Sequence, residues 1–176
     1  MRDDKDPLAD VKPYDGPISP FALDEIFIED AFARNDERLW MPVTPYSWSR
    51  PLCLCASQGY WVHLSKYRGQ GVVSCHRHPA PVHALIIKGG WRYLEHDWTG
   101  REGSYVFEPP GDIHTLVTLP DVDESITLFN VTGSLIYFNE AGETTGYADV
   151  FTRIDAYAKH FEAVGLGADY VKRFIR

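Results

Sequence analysis

The stretch Gly103-Ser104-Tyr105-Val106-Phe107-Glu108-Pro109-Pro110-Gly111-Asp112-Ile113-His114-Thr115-Leu116-Val117-Thr118 decides the fold. Its first part, Ser104 to Glu108, is rich in aromatic and β-branched residues and reads as a strand. Pro109-Pro110-Gly111 breaks that run with a turn. His114 to Leu119 then resumes the strand pattern. Alternation places Thr118 on the same face as His114. The stretch predicts two strands hinged at a proline–glycine turn, with a histidine opening the second.

The same pattern extends in both directions. Leu52 to Ala56, Tyr60 to Tyr67, Val72 to Arg77 and Val82 to Lys88 read as strands, the last ending at the hairpin-type pair Gly89-Gly90. Trp91 to Trp98, Ser125 to Thr132 and Leu135 to Asn139 follow. Strands recurring every 8–12 residues or so predict an all-β antiparallel sandwich or barrel. Near residue 149 the period changes: Val150, Ile154, Tyr157, Ala158 and Phe161 recur at helical spacing, and Gly165 stops the helix. Tyr170 to Ile175 adds a last turn or two. Pro7, Pro13, Gly16, Pro17 and Pro20 make the first residues an irregular arm, and Pro20 to Phe27 reads as a short helix or an extended segment. The expected organisation is an arm over 1–39, a barrel over 40–148 and a helical segment over 149–176.

Charge excludes some partners. The net charge of -8 opposes binding to nucleic acid or an anionic membrane surface. That charge is local: residues 1–40 hold 11 acids and 5 bases, whereas residues 41–176 hold 14 and 12. No apolar run is long enough to span a membrane, and no apolar core follows the charged first residues as in a secretory signal. Cys53, Cys55 and Cys75 are an odd set without a CxxC spacing. They read as small buried thiols in a reducing cytoplasm.

Five of the seven histidines, His76, His78, His83, His96 and His114, fall within 39 residues. His76 and His78 flank Arg77 at a strand end, so both imidazoles share one face and can chelate a single metal ion. His83 shares a strand face with Leu85 and Ile87. The opposite face ends at Lys88, which should meet water, so His83 is expected to point inward. Glu95 and Glu108 are candidate general bases, and Arg77 and Arg92 candidate holders of an anion, with Arg77 alternating away from the histidines. His63, His96 and His160 are expected to serve packing or the surface.

These residues resemble the two motifs of the cupin superfamily. Residues 76–90 read His76-x-His78, four residues, His83, six residues, Gly90. Residues 103–118 read Gly103, five residues, Pro109-Pro110-Gly111, two residues, His114, three residues, Thr118. Two departures stand out: His83 replaces the motif glutamate, and Gln70 stands where the opening glycine of the first motif belongs. The loss of an anionic ligand would leave a divalent metal its full charge and favour an anionic, chelating substrate. The implied fold is a single-domain cupin, a jelly-roll barrel.

A closer resemblance rests on Trp40-Met41-Pro42, His76-x-His78-Pro79, Gly89-Gly90-Trp91-Arg92-Tyr93 and Glu108-Pro109-Pro110-Gly111-Asp112-Ile113-His114-Thr115-Leu116. These segments look like the 2,4'-dihydroxyacetophenone dioxygenase family, related to acetylacetone dioxygenase and to the cupin part of ChrR-type anti-sigma factors. The resemblance implies a non-haem Fe(II) enzyme that cleaves the carbon–carbon bond of a small aromatic hydroxyketone with dioxygen, giving 4-hydroxybenzoate and formate. The family's three-histidine site maps onto His76, His78 and His114. Glu108 and His83 are then the candidate catalytic residues. Zn, Ni or Cu also suits imidazole ligands. The alternatives are a β-diketone-cleaving dioxygenase and a non-catalytic ChrR-type sensor, the latter disfavoured by the absence of an appended helical domain. A homodimer or homotetramer built through the arm and the C-terminal helix is expected.

Overall fold

A computed structural model describes residues 8–176. The strands are β1 (Met41–Thr44), β2 (Ser47–Cys55), β3 (Tyr60–Arg68), β4 (Val72–Arg77), β5 (Val82–Lys88), β6 (Gly90–Tyr93), β7 (Gly100–Arg101), β8 (Tyr105–Glu108), β9 (Ile113–Thr118), β10 (Glu124–Thr132), β11 (Ser134–Phe138) and β12 (Thr144–Asp149). Helix α1 (Val150–Ala163) follows, and short 3-10 segments occupy Glu37–Leu39 and Ala168–Phe174. Two antiparallel six-stranded sheets, ordered β1-β2-β3-β10-β5-β8 and β12-β11-β4-β9-β6-β7, form the expected all-β jelly roll. Strands β1, β7 and β12 are additions to the sequence reading. The run from Trp91 to Trp98 stops pairing at Tyr93, and Pro20 to Phe27 forms neither helix nor strand.

Alternation within each strand sorts side chains between barrel and outside. On β3, Trp61, His63, Ser65 and Tyr67 turn inward, and Trp61 is fully buried. Val82, Ala84 and Ile86 do the same on β5, and Trp91 and Tyr93 on β6. The Trp91 indole is satisfied inside the core by donating to Thr127 Oγ1 at 2.9 Å. Gly89 makes the β5–β6 turn: its φ is +72°, and a Cβ there would lie 2.5 Å from the Glu124 carbonyl oxygen.

Helix α1 begins in a reciprocal cap. The Asp149 carboxylate accepts from the Thr152 N–H at 2.8 Å, and Thr152 Oγ1 accepts from the Asp149 N–H at 2.8 Å. The helix lays Val150, Tyr157 and Phe161 against the barrel. Its first turn therefore reaches the barrel's interior.

His63 is an imidazole inside this core. It stacks between Trp61 and Phe129, with ring centroids 6.3 and 5.6 Å away, and its Nδ1 has no hydrogen-bond partner. Burial, with the charge of Arg153 as a lesser cause, pushes its pKa down to about 3.

Two outcomes follow. Trp91→Ala should destabilise the fold by about 3–5 kcal/mol in urea unfolding, as expected for a truncated core aromatic. Between His63's folded pKa of about 3 and its usual 6.5, only the unfolded chain carries the extra proton. Stability should therefore fall as pH drops through that window, with a slope of about 1.4 kcal/mol per unit from this group. His63→Phe should remove that part of the slope, and an unchanged pH profile would contradict the assignment.

Candidate metal centre

Strand register builds the centre. In the β4–β9 ladder His76 stands directly opposite His114. His78 lies two residues further along the same face, just past the end of β4. Gly111 takes φ +98° in the Pro-Pro-Gly turn, and its N–H donates to the His78 carbonyl at 2.8 Å, tying the turn before β9 to the end of β4. The three imidazole centroids are 4.8, 4.8 and 5.0 Å apart. One nitrogen from each ring lies within 4.8 Å of the others, and all three side chains are buried.

The surroundings orient these rings. Ser74 Oγ pairs with His76 Nδ1 at 3.0 Å. The Tyr93 ring stacks on His114 at 3.8 Å and 11°. Asp112 Oδ2 sits 3.6 Å from His114 Nδ1 and 3.0 Å from His96 Nε2. Such outer partners fix which nitrogen faces a metal. Burial, reinforced by the neighbouring imidazoles, pushes the pKa of His76 far down, and burial also lowers that of His114. Their lone pairs are thus free near neutrality.

Glu108 completes the cluster. It ends β8 just before the Pro-Pro-Gly turn and is 3% exposed. Its Oε1 accepts from the Tyr93 hydroxyl at 2.8 Å. Burial and the Glu108 charge keep Tyr93 in its phenol form. Oε2 lies 2.8 Å from His78 Nε2 and 3.6 Å from His114 Nε2, yet it makes no hydrogen bond. Two imidazole nitrogens, His78 Nε2 and His114 Nε2, approach to 3.0 Å and pair with each other beside the unpartnered carboxylate oxygen. A divalent cation there would satisfy them together, and the donor set suits a first-row transition metal.

His76 and His78 open onto a cavity of about 510 Å³, in the range of small-ligand sites. Its walls include Trp48, Tyr67, Phe129, Leu135 and Tyr137, and the cavity also reaches Thr152 and Arg153 of α1. The site therefore has an aromatic middle, a metal-binding end and a cationic residue contributed by the helix.

Several expectations need correction. His83 does not face inward: Val82, Ala84 and Ile86 do, so His83 lies outside the barrel, bonded to Tyr105 Oη at 2.7 Å and against Phe107. The inference from Lys88 failed because the β5–β10 ladder shifts register between Ile126 and Thr127, which frees Lys88 at the strand end to pair with Glu124. Glu95 is spent on the Thr115 N–H and hydroxyl, at 2.7 and 2.8 Å. Arg77 lies over Phe138 and, like Arg92, does not line the cavity. His63, expected to be a packing residue, is buried but also lines the cavity, and His96 holds Asp112 behind His114. Arg153 was missed. Its signal was its position three residues after Val150 and four before Tyr157, on the helix's buried stripe.

Among solved structures, an rmlc-like cupin protein from Ralstonia eutropha JMP134 is 27% identical with a TM-score of 0.68, covering 72% of this chain and 83% of that one. An acetylacetone dioxygenase from Acinetobacter johnsonii is 16% identical with a TM-score of 0.64, covering 79% and 98%; it is a likeness of fold. No curated protein matches this chain. The family described as ChrR Cupin-like domain matches residues 29–136, a span that holds all three histidines, Glu108 and most of the barrel, and the chain belongs to that family.

Proposed function

We propose that this chain is a non-haem Fe(II) dioxygenase that cleaves an aromatic α-hydroxyketone, with 2,4'-dihydroxyacetophenone as substrate and 4-hydroxybenzoate and formate as products. The observation that carries the reading is a cluster of three buried imidazoles, two of which, His76 and His78, line a substrate-sized, aromatic-walled cavity. His76, His78 and His114 would hold the metal by three nitrogens. A bound iron would supply Lewis acidity and a one-electron route to dioxygen.

The protein's own groups do the rest. The aromatic walls hold the ring and exclude water. Glu108 Oε2, buried and unbonded, accepts the proton lost when the hydroxyketone becomes its enediolate form. Tyr93 holds the other carboxylate oxygen and fixes the orientation of Oε2. Tyr93 also stacks on His114, so one side chain aligns both the base and a ligand.

A second reading has support of its own. Glu108 Oε2 is near enough to the histidine nitrogens to act as a fourth ligand, closing the site as in a metal-binding sensor. Family membership is compatible with that role. A β-diketone-cleaving enzyme, the activity named for the structural neighbour from Acinetobacter johnsonii, would use the same triad on a different chelate.

The iron-loaded protein should consume dioxygen on addition of 2,4'-dihydroxyacetophenone and release the two named products. Anaerobic substrate addition should produce a new visible absorption band. His76→Ala and His114→Ala should lose both bound iron and activity, and full activity in either would sink the assignment. Glu108→Gln should keep its iron while kcat falls by about 10²–10⁴, the usual range for a lost general base. A tightly held metal with no oxygen uptake for hydroxyketone or diketone would favour the sensor.

A further inference from the structure

Arg153 stands where helix energetics oppose it. It lies in the first turn of α1, where the helix dipole disfavours a cation. It also lies on the same helix stripe as the buried Val150 and Tyr157 and is itself only partly exposed. Its Nη2 donates to the Tyr137 hydroxyl at 3.1 Å, and its Nε is buried with no hydrogen-bond partner. No carboxylate among the described residues forms an ion pair with it. The buried acid that shares the cavity, Glu108, is held by Tyr93 and lies beside His78 at the metal-binding end.

The position of Arg153 relative to that end is also defined. Tyr137, its hydrogen-bond partner, pairs across the β11–β4 ladder with His76 and places its ring 6.3 Å from that imidazole. One aromatic side chain therefore separates the guanidinium from the metal-binding end. Phe129, Leu135 and Val131 line the same cavity. The positive charge is felt along it: Arg153 adds to the effect of burial in disfavouring protonated His63.

We infer that Arg153, with Tyr137, forms the distal anchor of the cavity and selects substrates bearing an acidic oxygen on the far side of an aromatic ring from the chelating head. The counter-charge that the guanidinium lacks is brought by the ligand. A phenol para to an acyl group suits this position: the carbonyl makes it more acidic than a simple phenol, and a guanidinium hydrogen bond favours its anion. The inference rests on the proposed hydroxyketone reading and adds the residue that sets ring-substituent specificity.

The test compares 2,4'-dihydroxyacetophenone with 2-hydroxyacetophenone, which has the same chelating head but lacks the ring hydroxyl. Anaerobic titration of the iron-loaded protein gives both dissociation constants without turnover. Wild type should prefer the hydroxylated compound about tenfold or more, as expected for a charge-assisted hydrogen bond. Arg153→Met should bind the two within about twofold of each other while keeping its iron. Arg153→Lys should fold with the charge retained and keep part of the preference. In turnover, loss of the anchor should raise KM for the hydroxylated substrate more than it lowers kcat.

A preference that survives in Arg153→Met, or is absent from wild type, overturns the inference. If wild type shows the Arg153-dependent preference but consumes no oxygen with either compound, the reaction assignment fails and the anchor stands. If oxygen is consumed but the preference ignores Arg153, the anchor fails and the reaction stands. Binding of neither compound to wild type overturns both.

Discussion

The ladder that sets His76 across from His114 is the constraint on which the site depends. Side chains directly opposite on adjacent antiparallel strands stand on the same face at close range. With His78 two residues further on, three imidazoles converge where a shift of one residue would turn the set outward. The Pro-Pro-Gly turn fixes where β9 begins, and the Gly111 N–H to the His78 carbonyl holds that turn against β4. Loop geometry thus sets the register, and the register makes the metal centre.

That convergence gathers lone-pair donors around one point and leaves Glu108 Oε2 without a partner. Burial lowers the pKa values of His76 and His114 and so favours their neutral, metal-binding form. Tyr93 acts on both sides of this arrangement, stacking on His114 and donating to Glu108. At the other end Arg153 carries a charge with no protein counter-ion. The cavity is therefore polarised along its length, with an electron-rich end that suits a metal and a cationic end that suits an acid. Aromatic walls between them suit a flat ring.

Much of the barrel was legible because strand alternation and turn residues are local. Tyr60 to Tyr67 and Ser125 to Thr132 read as strands from composition, and they pair along their whole length as β3 and β10. The triad was legible because its ligands sit in two short motifs whose turns act as local spacers. His83 was misplaced for a local reason as well. Lys88 reads as a regular strand position, but a register shift near the strand end lets the lysine leave the inner face. Glu108 stood out as a carboxylate, though not its approach to His78. That approach depends on how β8 and β4 lie across the barrel, and they belong to different sheets.

By itself the sequence determined the all-β class, the turn-bounded histidine pattern and the amphipathic C-terminal helix. Each follows from interactions among residues close in the chain, where side-chain period and backbone preference act directly. Only the tertiary structure decided that β12 and α1 would carry Arg153 into the cavity of the distant histidines. It also decided that His63 would lose its proton and that His83 would stand outside. These outcomes depend on which distant strands share an interior, and burial in that interior sets both charge state and access.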